Sequence, residues 1–101
     1  MSVTVLVHVP IGDLDRVKRT FALRVALMEE ISEESKSLGA LHHQFLQSNG
    51  ELVVVDEWET AEGFHRFFDA NPKIEELNRE VGVLGPPQVL ILSPMEAPGA
   101  F

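Results

Sequence analysis

No cysteine occurs among the 101 residues. Disulfides, zinc–thiolate sites, iron–sulfur clusters and a cysteine nucleophile are therefore excluded, and nothing points to a secreted disulfide scaffold. Tyrosine is absent too, which removes a phenolic acid–base group. Basic residues are few: 8 Lys and Arg stand against 16 Asp and Glu, a formal net charge of -8. Nucleic acids and anionic membranes are held by clustered Lys and Arg, so neither is an expected partner. No apolar run reaches the roughly 18 residues needed to cross a bilayer. The opening MSVTVLVHVP carries no basic leader and no cleavage pattern, so the expected location is the cytoplasm. No phosphate-cradling glycine loop, nucleotide fingerprint or Ser-His-Asp signature occurs.

What is present suits a folded chain. Hydrophobic residues make up 45% and charged residues 24%, a globular rather than a disordered balance. One domain over residues 1–101 is expected, with an irregular tail from about residue 95.

Val3, Val5, Val7 and Val9 alternate with Thr4, Leu6 and His8, the period of a strand. Pro10, Gly12 and Asp13 end it, and Asp13 can cap a helix. Leu14, Val17, Phe21, Val25, Met28, Ile31 and Leu38 then recur at helical spacing. They predict one long helix closed by Gly39. Two strands follow, Ala40–Ser48 and Glu51–Trp58, joined by Asn49-Gly50. That dipeptide is a strong hairpin signal, expected to place both turn residues at positive φ. Thr60 caps a second helix bearing Phe64, Phe67 and Phe68. Asn71-Pro72 opens a further helical segment that Gly82 stops. Val89–Leu92 is the last strand. The order is β-α-β-β-α-β, an α+β ferredoxin-like antiparallel sheet with helices on one face.

In an open sheet of this kind the uncovered face should be polar. Leu52-Val53-Val54-Val55 and Val89-Leu90-Ile91-Leu92 are apolar on both faces. The second face needs a cover, and a second copy of the same sheet supplies one. A homodimer through the sheet faces is expected.

The stretch LVVVDEWETAEGFHRFFDANPKIEEL resembles the antibiotic biosynthesis monooxygenase family of dimeric α/β barrels. The cue is an apolar strand ending in Glu57-Trp58, a polar cap, an aromatic-bearing helix, and Asn71-Pro72 opening another turn. With the element order, the resemblance covers about residues 2 to 94. It implies a dimer with facing sheets and outer helices, and a pocket in each monomer between sheet and helices. Family activities include oxidation of aromatic polyketides to quinones without metal or flavin, haem degradation, and isomerisation of small metabolites. The haem-degrading branch has an Asn, a Trp and a His where Val7, Phe67 and Leu77 stand here, so haem degradation is not expected. In many other members a His stands at the position of Phe67. The nearest histidine, His65, is turned about 200° away on a helix. Trp58 matches the family's tryptophan after the third strand.

A two-residue hairpin loop fixes the register of the flanking strands. His43 then opposes Asp56 and His42 opposes Glu57, on opposite faces of the sheet. A carboxylate beside an imidazole orients the ring and makes a general acid–base unit; it also satisfies buried polar groups. One pair should face the pocket and the other the dimer interface. His43 shares its face with Leu41, Phe45, Val54 and Trp58, the more aromatic setting, which favours His43 and Asp56 as the pocket pair. His65, at the border of its helix's apolar face, is a third catalytic candidate. Val7, Phe45, Trp58, Phe64, Phe67 and Phe68 are the candidate substrate-binding residues, suited to a small hydrophobic or aromatic ligand. No metal is expected from His8, His42, His43 and Asp56, because His42 and His43 face opposite ways. No cofactor is expected either. Three functions stay open: a cofactor-independent monooxygenase of a small aromatic or polyketide-like substrate, a non-catalytic binding module of the same fold, and an oxygen-independent isomerase or cyclase.

Overall fold

A computed structural model describes residues 2–101. The elements run β1 (Val3–Pro10), α1 (Leu14–Leu23), α2 (Val25–Ser37), β2 (Ala40–Ser48), β3 (Glu51–Trp58), α3 (Ala61–Phe68), α4 (Pro72–Val81) and β4 (Gln88–Leu92). The four strands form one antiparallel sheet in the order β2-β3-β1-β4. This is the expected α+β, ferredoxin-like arrangement. Residues beyond Leu92 form no helix or strand.

The capping residues act as the sequence suggests. The Arg16 backbone N–H donates to Asp13 Oδ1 at 3.1 Å, and the Gly63 N–H to Thr60 Oγ1 at 3.0 Å. Asn71 Oδ1 accepts from the Lys73 and Ile74 N–H groups. Each cap satisfies donors that a helix start leaves orphaned. Gly82 ends α4 at φ 77°, a left-handed position that glycine takes without Cβ strain.

The predicted single long helix is two helices. The chain breaks at Arg24, at φ -117° and ψ 37°. The Arg24 guanidinium reaches back to α4, with Nη2 3.2 Å from Glu76 Oε2 and Nε 3.5 Å from Glu80 Oε1. No glycine or proline marks the break; a tertiary ion-pair contact accompanies it, overriding local propensity. The break changes which residues face inward. Leu27, Ile31 and Ser35 are buried in α2, whereas Val25 is exposed and Met28 only half-buried.

The hairpin register is as derived from Asn49-Gly50: Ser48 opposes Glu51, His43 opposes Asp56 and His42 opposes Glu57. Two details differ. Gly50 takes φ 67°, but among the described residues Ala70 is the only non-glycine at positive φ, so Asn49 does not share that conformation. A register shift between Ala40 and His42 pairs Ala40 with Trp58. It lifts Leu41 out of regular alternation and leaves it exposed.

The core lies between the helices and one sheet face, where Val5, Val7, Val9, Leu52, Trp58, Phe64, Phe67 and Val81 are buried together. On the other face no helix covers Leu46, Leu90 and Leu92, which are 44%, 51% and 43% exposed.

Candidate active site

Strand alternation places Val7 and Val9 of β1, Leu52, Val54 and Asp56 of β3, and His43 and Phe45 of β2 on the helix side. Phe64, Phe67 and Phe68 of α3 and Ile74, Leu77, Asn78 and Val81 of α4 face them. Together with Phe21 and Ile31 they enclose a cavity of about 90 Å³. Its polar side chains are His43, Asp56 and Asn78; the rest of the lining is apolar.

Asp56 is buried, 4% exposed at its side chain, and both carboxylate oxygens are engaged. Oδ2 accepts from Trp58 Nε1–H at 3.2 Å, and Oδ1 lies 2.6 Å from His43 Nδ1. As a carboxylate, Asp56 can only accept, so Nδ1 carries the hydrogen and donates. In the neutral ring Nε2 then holds the free lone pair. A buried carboxylate fixed on both oxygens holds the imidazole in one tautomer and one orientation. The His43 side chain is 33% exposed, so the ring lies at the cavity's border. It packs edge-on to Phe45 at 4.7 Å.

Trp58 does not line the cavity. It is fully buried beneath it, 5.8 Å from Phe64 and 5.4 Å from Phe67 between ring centres. The expectation that it touches substrate is corrected: its indole N–H serves Asp56 instead. His65 is corrected too. Its ring lies on the outer surface of α3, with Nδ1 3.3 Å from Asp69 Oδ2, away from the cavity. Helical geometry accounts for this, since residues four apart share a face. The expected substrate-binding residues Val7, Phe45, Phe64, Phe67 and Phe68 all line the cavity.

His42 and Glu57 oppose one another on the uncovered face, beside Thr4 and Gln44. Among the described residues the Glu57 carboxylate accepts from the Ser2 hydroxyl at 3.3 Å, not from His42. The two histidine–carboxylate pairs are therefore unequal: one is a closed hydrogen-bonded unit, the other a surface juxtaposition. No group of three or more His, Asp or Glu side chains converges as a metal site among the described residues.

Asn78 was not legible as a site residue. Its neighbours Leu77 and Val81 mark the inner face of α4, but a polar residue beside that stripe reads as surface. Val7, Phe67 and Leu77, the positions compared with the haem-degrading branch, all line the cavity and none can ligate iron.

The sequence matches no protein-family profile and no curated protein. Solved structures do match. The monooxygenase from the gene ActVA-Orf6 of Streptomyces coelicolor, in complex with nanaomycin D, superposes with a TM-score of 0.69 at 22% identity, over 95% of this chain and 89% of that one. SnoaB, a cofactor-independent oxygenase from Streptomyces nogalater, gives 0.65 at 14% identity over 98% of each chain. An antibiotic biosynthesis monooxygenase gives 0.67 at 14% identity over 93% of this chain and 99% of that one. The fold is that of the antibiotic biosynthesis monooxygenases. Within the antibiotic biosynthesis monooxygenase fold, this chain carries its His43–Asp56–Trp58 unit on the helix side of the sheet. No described helix is long and apolar enough to cross a membrane.

Proposed function

We propose that this protein is a cofactor-independent monooxygenase of a small aromatic, polyketide-like substrate. In this reading it works in the cytoplasm as a homodimer through its sheet faces. The observation that carries the reading is the hydrogen-bonded relay Trp58–Asp56–His43 at the border of a mainly apolar cavity. His43 Nε2 takes a proton from an acidic ring carbon or hydroxyl of the substrate. The resulting delocalised anion gives an electron to dioxygen, a C–O bond forms, and the peroxide loses water. A ring CH2 plus O2 thus becomes C=O plus H2O. Asp56 holds the imidazole and stabilises the imidazolium. The apolar walls orient a flat ring and limit water, and Asn78 can donate to the substrate oxygen. The likeness to SnoaB, described as a cofactor-independent oxygenase, supports this chemistry.

The dimer is supported by the apolar residues on the uncovered face. Leu6, Leu46, Val53, Val55, Leu90 and Leu92 form a continuous surface of the kind that marks an interaction site. A second reading, a binding module without turnover, is favoured by the apolar lining. An isomerase or cyclase would use the same base without oxygen. Dioxygen uptake by purified metal-free protein, with anthrones, naphthols and hydroquinones, tests the proposal. Saturable, protein-dependent uptake supports the monooxygenase. Ligand binding without uptake refutes it, and anaerobic product analysis then separates binding from isomerisation.

A further inference from the structure

The inner cavity is too small for the ligand class it suggests. About 90 Å³ holds a single ring, whereas sites for small molecules usually span about 300–1,000 Å³. A groove of about 260 Å³ adjoins it between α2 and β2. The two spaces share five lining residues: Ile31, His43, Phe45, Phe67 and Leu77. Val25 and Met28, just past the break at Arg24, stand on the wall of this groove and not among the buried residues of α2. Edge strand β2 is not fully covered by α2, and from His43 onward its residues are exposed. The groove is mainly apolar, with Glu29 and Ser32 among its few polar residues. Phe45 stands at the junction, 5.1 Å from the Phe21 ring and 4.7 Å from the His43 ring.

We propose that the ligand site is two-lobed, with His43 at the junction of cavity and groove, and that Phe45 sets how large a ligand spans both lobes. The ligand class is a fused-ring aromatic or a ring with an apolar arm, longer than the inner cavity alone accepts. This rests on reading the inner cavity as the aromatic site. The groove's occupant is the remainder of that same ligand, because any molecule that reaches His43 from the cavity is already in contact with residues of the groove.

The test measures binding, not turnover, by calorimetric titration with phenol, 1-naphthol and anthrone. Met28→Trp fills the groove from a half-exposed position, and Ser32→Phe fills it from the next turn of α2. Wild-type protein binds the three-ring probe more tightly than phenol. Either variant weakens anthrone at least tenfold and leaves phenol unchanged, while Phe45→Ala opens the junction and increases the preference for anthrone over phenol. Equal effects of the groove variants on all three probes, or none on any, overturn the two-lobed site and leave the inner cavity standing. An altered mass by light scattering with unchanged binding overturns it in favour of a second copy of the chain in the groove. Wild-type protein that binds none of the probes overturns the aromatic site itself, and the two-lobed site with it.

Discussion

Replacing Trp58 with Phe isolates the hydrogen bond that anchors the relay. Trp58 is fully buried, and its indole N–H donates to Oδ2 of a carboxylate that is itself 4% exposed. The variant leaves that oxygen without its partner and a gap where the pyrrole ring stood. A hydrogen bond to a charged group contributes roughly 1.5–3 kcal/mol, and a partly collapsed gap of this size adds on the order of 1 kcal/mol. The expected loss is about 2.5–4 kcal/mol, a large share of the roughly 5–15 kcal/mol that holds a typical domain folded. A double-mutant cycle with Asp56→Ala separates the two parts, because the gap contributes in both backgrounds and the hydrogen bond in one. Coupling of about 1.5–3 kcal/mol is expected. Urea unfolding at one fixed protomer concentration supplies the free energies. Far-UV circular dichroism is the probe, since Trp58 is the only tryptophan and the variant loses its fluorescence. Additivity within about 0.5 kcal/mol, the behaviour of independent sites, would refute the claim that Trp58 acts through Asp56.

Leu90→Asp puts a charge on the uncovered sheet face, where Leu90 is exposed. The proposed dimer should dissociate to the monomer mass in light scattering while the circular dichroism spectrum is kept; an unchanged dimer mass would place the interface elsewhere. Gly63→Ala drives a Cβ into the Leu38 carbonyl where α3 meets the end of α2. A loss of about 1–3 kcal/mol in urea unfolding is expected from such overpacking, and no loss would contradict the tight approach. Glu34 raises the Lys73 pKa above its ordinary 10.5 by hydrogen bonding and charge. A raised folded-state pKa means that the contribution is fully present below about pH 10.5 and lost as pH climbs through the folded value. Melting temperatures should therefore show Lys73→Met less stable than wild type at pH 8 and converging with it as pH rises beyond the raised Lys73 pKa. A gap that persists once Lys73 is neutral would assign the effect to packing.

Much of the site was legible because two periodicities constrain it. Once Asn49-Gly50 pins the hairpin, a period of two assigns every residue of β2 and β3 to a face and pairs His43 with Asp56. The aromatic company of His43 correctly indicated the helix side. The turn conformation itself was not legible, since Asn49 avoids the positive φ that the dipeptide usually takes. The break at Arg24 escaped because apolar spacing runs on through Phe21, Val25 and Met28. What marks it is a contact with Glu76 and Glu80, more than fifty residues away. The groove beside it was invisible as well. Trp58 and His65 show the same limit at the scale of a side chain. Spacing gives the direction in which a residue leaves its element, but not whether it stops at a cavity wall, beneath it or outside it.

The central claim is that His43 acts as a base towards a bound phenol or acidic ring carbon. Its most direct test is protein-dependent dioxygen uptake with anthrone in wild-type protein and in His43→Gln, with anthrone affinity measured alongside without oxygen. His43→Gln is expected to bind anthrone as wild type does and to lose uptake by on the order of 10²-fold or more, the usual contribution of a general base. Equal uptake by the two proteins at equal affinity would contradict the claim.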